Sequence, residues 1–303
     1  MKKHILTAFF LLIGFFAFGQ INMADSTVQV ITYWEEGETQ YYTITKKQIQ
    51  LKGIDTISVE KASYDVEITV LKETDDSYTI QWQYKNLYSP NPITQKLLDL
   101  TSNTKIIYKT DEMGVFIEVE NWEEIKNHME EKANVLKEEL KITPEISKAI
   151  YHIAESFTTK EAIESVVLKE IQQFHAFHGG KYKLGEILEE QTKVPNIYGN
   201  EPFDCYATTC LYEINEENNS SILRATTEID AEQLLNATLG YLVKIAESIN
   251  IEYPKREDIG GLKNEMHITS EIHESGWVIF SIRTATVTSD SITNIEELII
   301  EIQ

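Results

Sequence analysis

Apolar and polar residues alternate along two adjoining stretches of the chain. Tyr64, Val66, Ile68 and Val70 interleave with Asp65, Glu67 and Thr69; past the polar run from Glu73 to Ser77, Tyr78, Ile80, Trp82 and Tyr84 interleave with Thr79, Gln81 and Gln83. A period of two sends successive side chains to opposite faces, so the pair reads as an antiparallel hairpin with one face buried and one wet. Similar runs predict strands over Thr27 to Trp34 and Thr39 to Ile49 before it, and Lys105 to Lys109 and Gly114 to Glu120 after it. Between them Asn91 and Pro92 supply the cap and first turn of a short helix.

The period then changes. Asn121 with Glu124 opens a helix to about Leu140, and Thr143 before Pro144 opens a second through about Phe157. Thr158 with Glu161 opens a third, whose apolar stripe is Ile163, Val167, Ile171 and Phe174. Strands return over Leu184 to Thr192, Phe203 to Asn215 and Ser220 to Ile229. Asp230 with Gln233 caps a long amphipathic helix, Ala231 to about Asn250, and three strands finish the chain: Leu262 to His273, Trp277 to Ser289 and Ile292 to Ile302. The expected fold class is α+β, long curved antiparallel strands packed on helices, with a strand region over 20–120, a helical middle over 121–180 and a strand-helix-strand region over 181–303.

The first nineteen residues change the setting. Two lysines, an apolar run from Ile5 to Phe18 and the ending Ala17, Phe18, Gly19 are the parts of a secretory signal peptide, and the run falls short of the ~20 residues of a spanning helix. The leader resembles those of exported Gram-negative proteins, which implies a periplasmic or secreted product. Removing it leaves 25 basic against 49 acidic side chains, a net charge of −24. Such a balance repels nucleic acid and anionic membrane surfaces and favours solubility.

Candidate chemistry is sparse. His175 and His178, in the stretch FHAFHGG, are neighbours on a helix and read either as half a metal site or as a helix ending at Gly179. The second reading is preferred, because no third or fourth ligand is visible and a helical zinc pair is spaced by four with a glutamate between. His128 and His152 stand alone in helices, and His267 and His273 share the polar face of a strand, opposite Ile268 and Ile272. No nucleophile elbow or phosphate-cradling glycine loop is present, so no catalytic residue and no cofactor is singled out. Cys205 and Cys210 are a possible disulfide in an exported chain, but five residues apart on a straight strand they face opposite ways and need a bulge between them to join.

The order of long strands and helices, as in the run from Phe203 to Ser289, resembles the half-barrel of periplasmic lipoprotein carriers, without a shared motif. That resemblance implies a non-enzymatic binder or carrier of an apolar ligand or lipid. An envelope structural or protein-interaction module without a cavity is the alternative, and an enzyme of unrecognised type is a third.

Overall fold

The computed structural model describes residues 20–99, 101–139, 159–194, 196, 201–249, 252–253, 255–290 and 292–303. The leader, the helix expected from Thr143 to Phe157, and His152 lie outside them.

The N-terminal part contributes β1 (Ile21–Asn22), β2 (Thr27–Gln29), β3 (Thr39–Lys52), β4 (Asp55–Thr74), β5 (Ser77–Tyr88), α1 (Pro92–Asp99), β6 (Lys105–Asp111) and β7 (Phe116–Val119). Two helices follow, α2 (Trp122–Glu139) and α3 (Lys160–Phe174). The rest is β8 (Lys181–Lys183), β9 (Ile187–Val194), β10 (Phe203–Asn215), β11 (Ser220–Ile229), α4 (Ala231–Ile249), α5 (Arg256–Ile259), β12 (Leu262–His273), β13 (Val278–Ser289) and β14 (Ile292–Ile302).

Eleven of the described strands form one antiparallel sheet in the order β7-β6-β5-β4-β3-β14-β13-β12-β11-β10-β9, and β1, β2 and β8 form a small second sheet. Each half is a meander of neighbouring hairpins. The halves join where β3 pairs with β14, from Tyr42 opposite Ile302 to Lys52 opposite Ile292.

The alternation read from sequence fixes which face is buried. Tyr42 and Ile44 on β3, Tyr64, Val66, Ile68 and Val70 on β4, Ile80, Trp82 and Tyr84 on β5, and Ile106 and Tyr108 on β6 all lie in the main core. Ile163, Ile171, Phe174 and Phe177, along and just beyond α3, fill the space against this inner face. The N-terminal segment closes one end, with Trp34 stacked on Trp277 at 4.3 Å between ring centroids.

Two expectations are corrected. The protein is mostly β, not α+β with a helical middle. Helical periodicity over 121–180 shows that the segment is helical, not that it forms a layer of its own. Here α2 and α3 pack on each other, but α2 also lies on β6 and α3 on β7, β13 and β14, so the helices are an insert against one continuous sheet. The second correction concerns Thr27 to Trp34. Only Thr27–Gln29 is strand, paired with β1 and β8, because the following residues tuck Val30 and Trp34 into the core instead of joining the large sheet.

Candidate ligand-binding site

Helix α3 presents polar groups, as well as its apolar stripe, to the inner face. Glu170 is only 3 % exposed. Its carboxylate accepts hydrogen bonds from the Tyr64 hydroxyl at 2.5 Å and the Tyr84 hydroxyl at 2.9 Å, and meets Lys46 Nζ at 2.5 Å. Burial works to raise this carboxyl, but the Lys46 charge and the hydrogen bonds outweigh it and hold Glu170 below the usual carboxylate range. Burial and the adjacent Glu170 charge in turn push both tyrosines well above their ordinary value. One turn on, Gln173 donates to Ser281 Oγ at 2.9 Å and to the Leu298 carbonyl at 3.0 Å. Both Gln173 bonds come from its Nε2, leaving Oε1 buried without a partner, while the Glu170 carboxylate is engaged at both oxygens; the cluster ties α3 to β3, β4, β5, β13 and β14.

His175 and His178 end this segment, with Gly179 in the left-handed region at φ 80°. The expected helix termination is therefore present, but both rings are buried instead of standing in water. His175 Nε2 lies 2.9 Å from the Tyr108 hydroxyl, and His178 Nε2 donates to the Gly276 carbonyl at 2.9 Å. Trp34 packs edge-on against both rings. Burial lowers both: His178 falls to about 4, and His175, beside the His178 charge as well, falls well below the usual histidine range. Neutral and tilted against each other, the two imidazoles pack as core pieces, each with its Nδ1 buried and without a hydrogen-bond partner. Among the described residues no three His, Cys, Asp or Glu side chains gather as metal ligands.

The inner face changes character beyond this filled region. Across β10 to β13 the inward positions are small or slender: Ala207 and Thr209, Ala225 and Thr227, Met266 and Ile268, and Ala285, all only partly buried. Helix α4 packs over β10 and β12. Its cap is the expected one, Asp230 Oδ1 accepting from the Gln233 amide at 2.8 Å. Leu234, Leu235 and Ala246 are buried outside the main core cluster, while Leu239, Leu242 and Val243 stay partly open. Ala225 and Ile268 pack against the main core, and the other inward positions and the open side of α4 are partly buried. Two openings adjoin this region. One, of about 630 Å³, lies at the ends of β9, β10 and β11 beside Cys205, Ile229 and Ala231. The other, of about 450 Å³, lies over β3, β4, β13 and β14 beside Arg283 and Lys169. Both are open and carry polar groups on their walls, unlike an enclosed apolar chamber.

The remaining candidates are dispersed. Cys205 and Cys210 are free thiols. The strand runs in register between them, its irregularity falling later, at Leu211 to Glu213, so they face opposite sides of β10 and do not form the possible disulfide. His267 is exposed beside Thr226, and His273 pairs with Ser275, while Ile272 opposite is buried. His128 is half-buried on α2, with Nε2 inside the protein and without a hydrogen-bond partner. Sequence reading missed Glu170, Gln173 and Arg283. A signal existed for Glu170, which sits beside Ile171 on the apolar side of a helical stripe. Comparison of the sequence with protein-family models finds no match, and comparison with curated proteins finds none.

Proposed function

We propose that the protein is an exported, non-enzymatic binder or carrier of an apolar or amphiphilic ligand, held between α4 and the inner face of β10 to β13. One observation carries the reading: a single sheet face is packed with Tyr42, Tyr64, Trp82, Tyr84 and Tyr108 on one side of α3 and lined with Ala207, Ala225, Thr227 and Ala285 on the other. Sequences that need only a solid core fill both sides, because each unfilled methylene forfeits packing energy. The leader over 1–19 and the strongly acidic surface supply the exported setting, in which a soluble body carries an oily passenger. The closed hydrogen bonding around Glu170 and the neutral histidine pair argue against catalysis at the most perturbed groups of the fold.

Native mass spectrometry of the purified exported chain, paired with organic extraction, tests the proposal. Co-purifying lipid is expected, and Ala225→Trp is expected to remove it while leaving the denaturation midpoint near that of the parent. A protein that is always empty, together with unchanged behaviour of Ala225→Trp, refutes the carrier and leaves the cavity-free interaction module.

A further inference from the structure

Arg283 is the most deeply buried cation among the described residues, at 9 % exposed. It projects from β13 on the inner face, in register with Ile268 on β12 and Leu298 on β14. One terminal nitrogen meets Glu296 Oε1 at 2.5 Å, yet its Nε lies buried with no hydrogen-bond partner. A guanidinium presents paired N–H groups that match two oxygens of one anion, and a buried N–H left unmade costs ~1–3 kcal/mol or more. Half of that fork is unused. Two further cations approach: Lys169 Nζ, at 3.9 Å from the same Glu296 oxygen, and Lys46, which is held by Glu170 and lies across Leu298 in the strand register. Arg283 and Lys169 line an opening beside Glu60 and Glu296, so its charged walls balance within a chain of net charge −22.

The opening of about 450 Å³ lies in front of Arg283, with Gln48, Gln50 and Asn294 as neutral polar walls and Glu60 on its far side. Ala285, on its wall, starts a row of inward positions that crosses to β10. Ala285 is opposite Met266, Met266 opposite Thr227, and Thr227 opposite Ala207, so one row of small and flexible side chains runs from beside Arg283 to beneath α4. Three strand spacings of ~4.8 Å make that row about 14 Å long, the length of an extended tail of about eleven carbons laid across the strands. Resting on the carrier reading above, the geometry points to a specific passenger class: a single-chain amphiphile whose anionic head, a carboxylate or a phosphate, is gripped by Arg283 and Lys169 while its tail lies along Ala285, Met266, Thr227 and Ala207. Arg283 then selects the ligand, while Lys46 stays occupied by Glu170.

Calorimetric titration of the exported chain with dodecanoic acid, dodecyl phosphate and dodecanol, each kept monomeric, tests this. At least one anion is expected to bind about tenfold or more tightly than dodecanol, the margin of one charged hydrogen bond in a dry site. The stronger of the two anions identifies the source as free fatty acid or phospholipid-derived. Arg283→Gln is expected to reduce both anions to the affinity of dodecanol and leave dodecanol unchanged. If all three bind the parent alike, or if Arg283→Gln keeps the anion preference, the headgroup assignment is wrong while the apolar slot stands. If none binds, the carrier reading falls with it. Should Arg283→Gln lose dodecanol too, Arg283→Lys decides: an anion preference retained there supports the assignment, and equal binding of all three overturns it.

Discussion

His178 couples the core to pH. Its ring is buried and neutral, with its titration displaced from about 6.5 in an unfolded chain to about 4 in the fold. The unfolded chain therefore binds the extra proton first, so this contribution is complete above pH 6.5 and is lost as pH falls through 4. The displacement is worth about 3 kcal/mol, and His175 adds in the same direction. Urea midpoints taken from pH 7 to pH 4 are expected to fall steeply, and His178→Gln is expected to flatten the profile while lowering stability at pH 7. Glu170 makes a second prediction at this scale. Glu170→Ala strands two tyrosine hydroxyls and Lys46, at a cost of about 3 kcal/mol. Glu170→Gln, which still accepts from one tyrosine or both, is expected to cost roughly half as much by the same urea assay. The burial of Glu170, His175 and His178 was the least legible feature of the sequence. Polarity says where a side chain prefers to be, while partners such as Tyr64, Tyr108 and Gly276, distant in sequence, decide where it can be afforded.

Single elements were far more legible, because their signals are local. The bounds of β12 and β14 are those read from the chain, and the Asp230 cap starts α4 at Ala231. Asn121 shows the limit of such reading. It precedes α2 as expected, but its side-chain oxygen accepts from the Ile107 amide and its amide donates to the Lys105 carbonyl, so it staples the helix start to β6. Turns obey the same local chemistry. Gly276, between β12 and β13, has φ 85°, and a Cβ there would stand 2.5 Å from the Ile31 carbonyl oxygen. Gly276→Ala is expected to lower the urea midpoint by about 2 kcal/mol or more, by forcing apart the turn and the N-terminal segment that hold His178 and Trp34. The proposed slot beneath α4 was only half legible. The stripe on α4 announced an apolar surface, but the small residues opposite became a lining only when the strand register placed Ala225 beside Ile268 and Thr209.

At the scale of the whole molecule, the sheet depends on a pairing that no local pattern reveals. Lys47 Nζ meets Glu297 Oε2 at 3.0 Å across 250 residues, where β3 and β14 run side by side. Deleting 292–302 exposes the inner edges of both meanders together, and the expected outcome is loss of the cooperative unfolding transition for the entire protein, followed by tryptophan fluorescence. β7 and β9 are the outer strands of the large sheet, and the β3–β14 pairing is the seam between its two meanders.

That seam also orders events in time. A chain threaded amino end first delivers β3 long before β14, so the first meander waits with an unsatisfied edge until the final strand arrives. Loops of this length close slowly. During that interval the nascent chain carries an unpaired strand edge that is prone to aggregation, and only with the arrival of Ile292–Ile302 is the sheet closed across its middle.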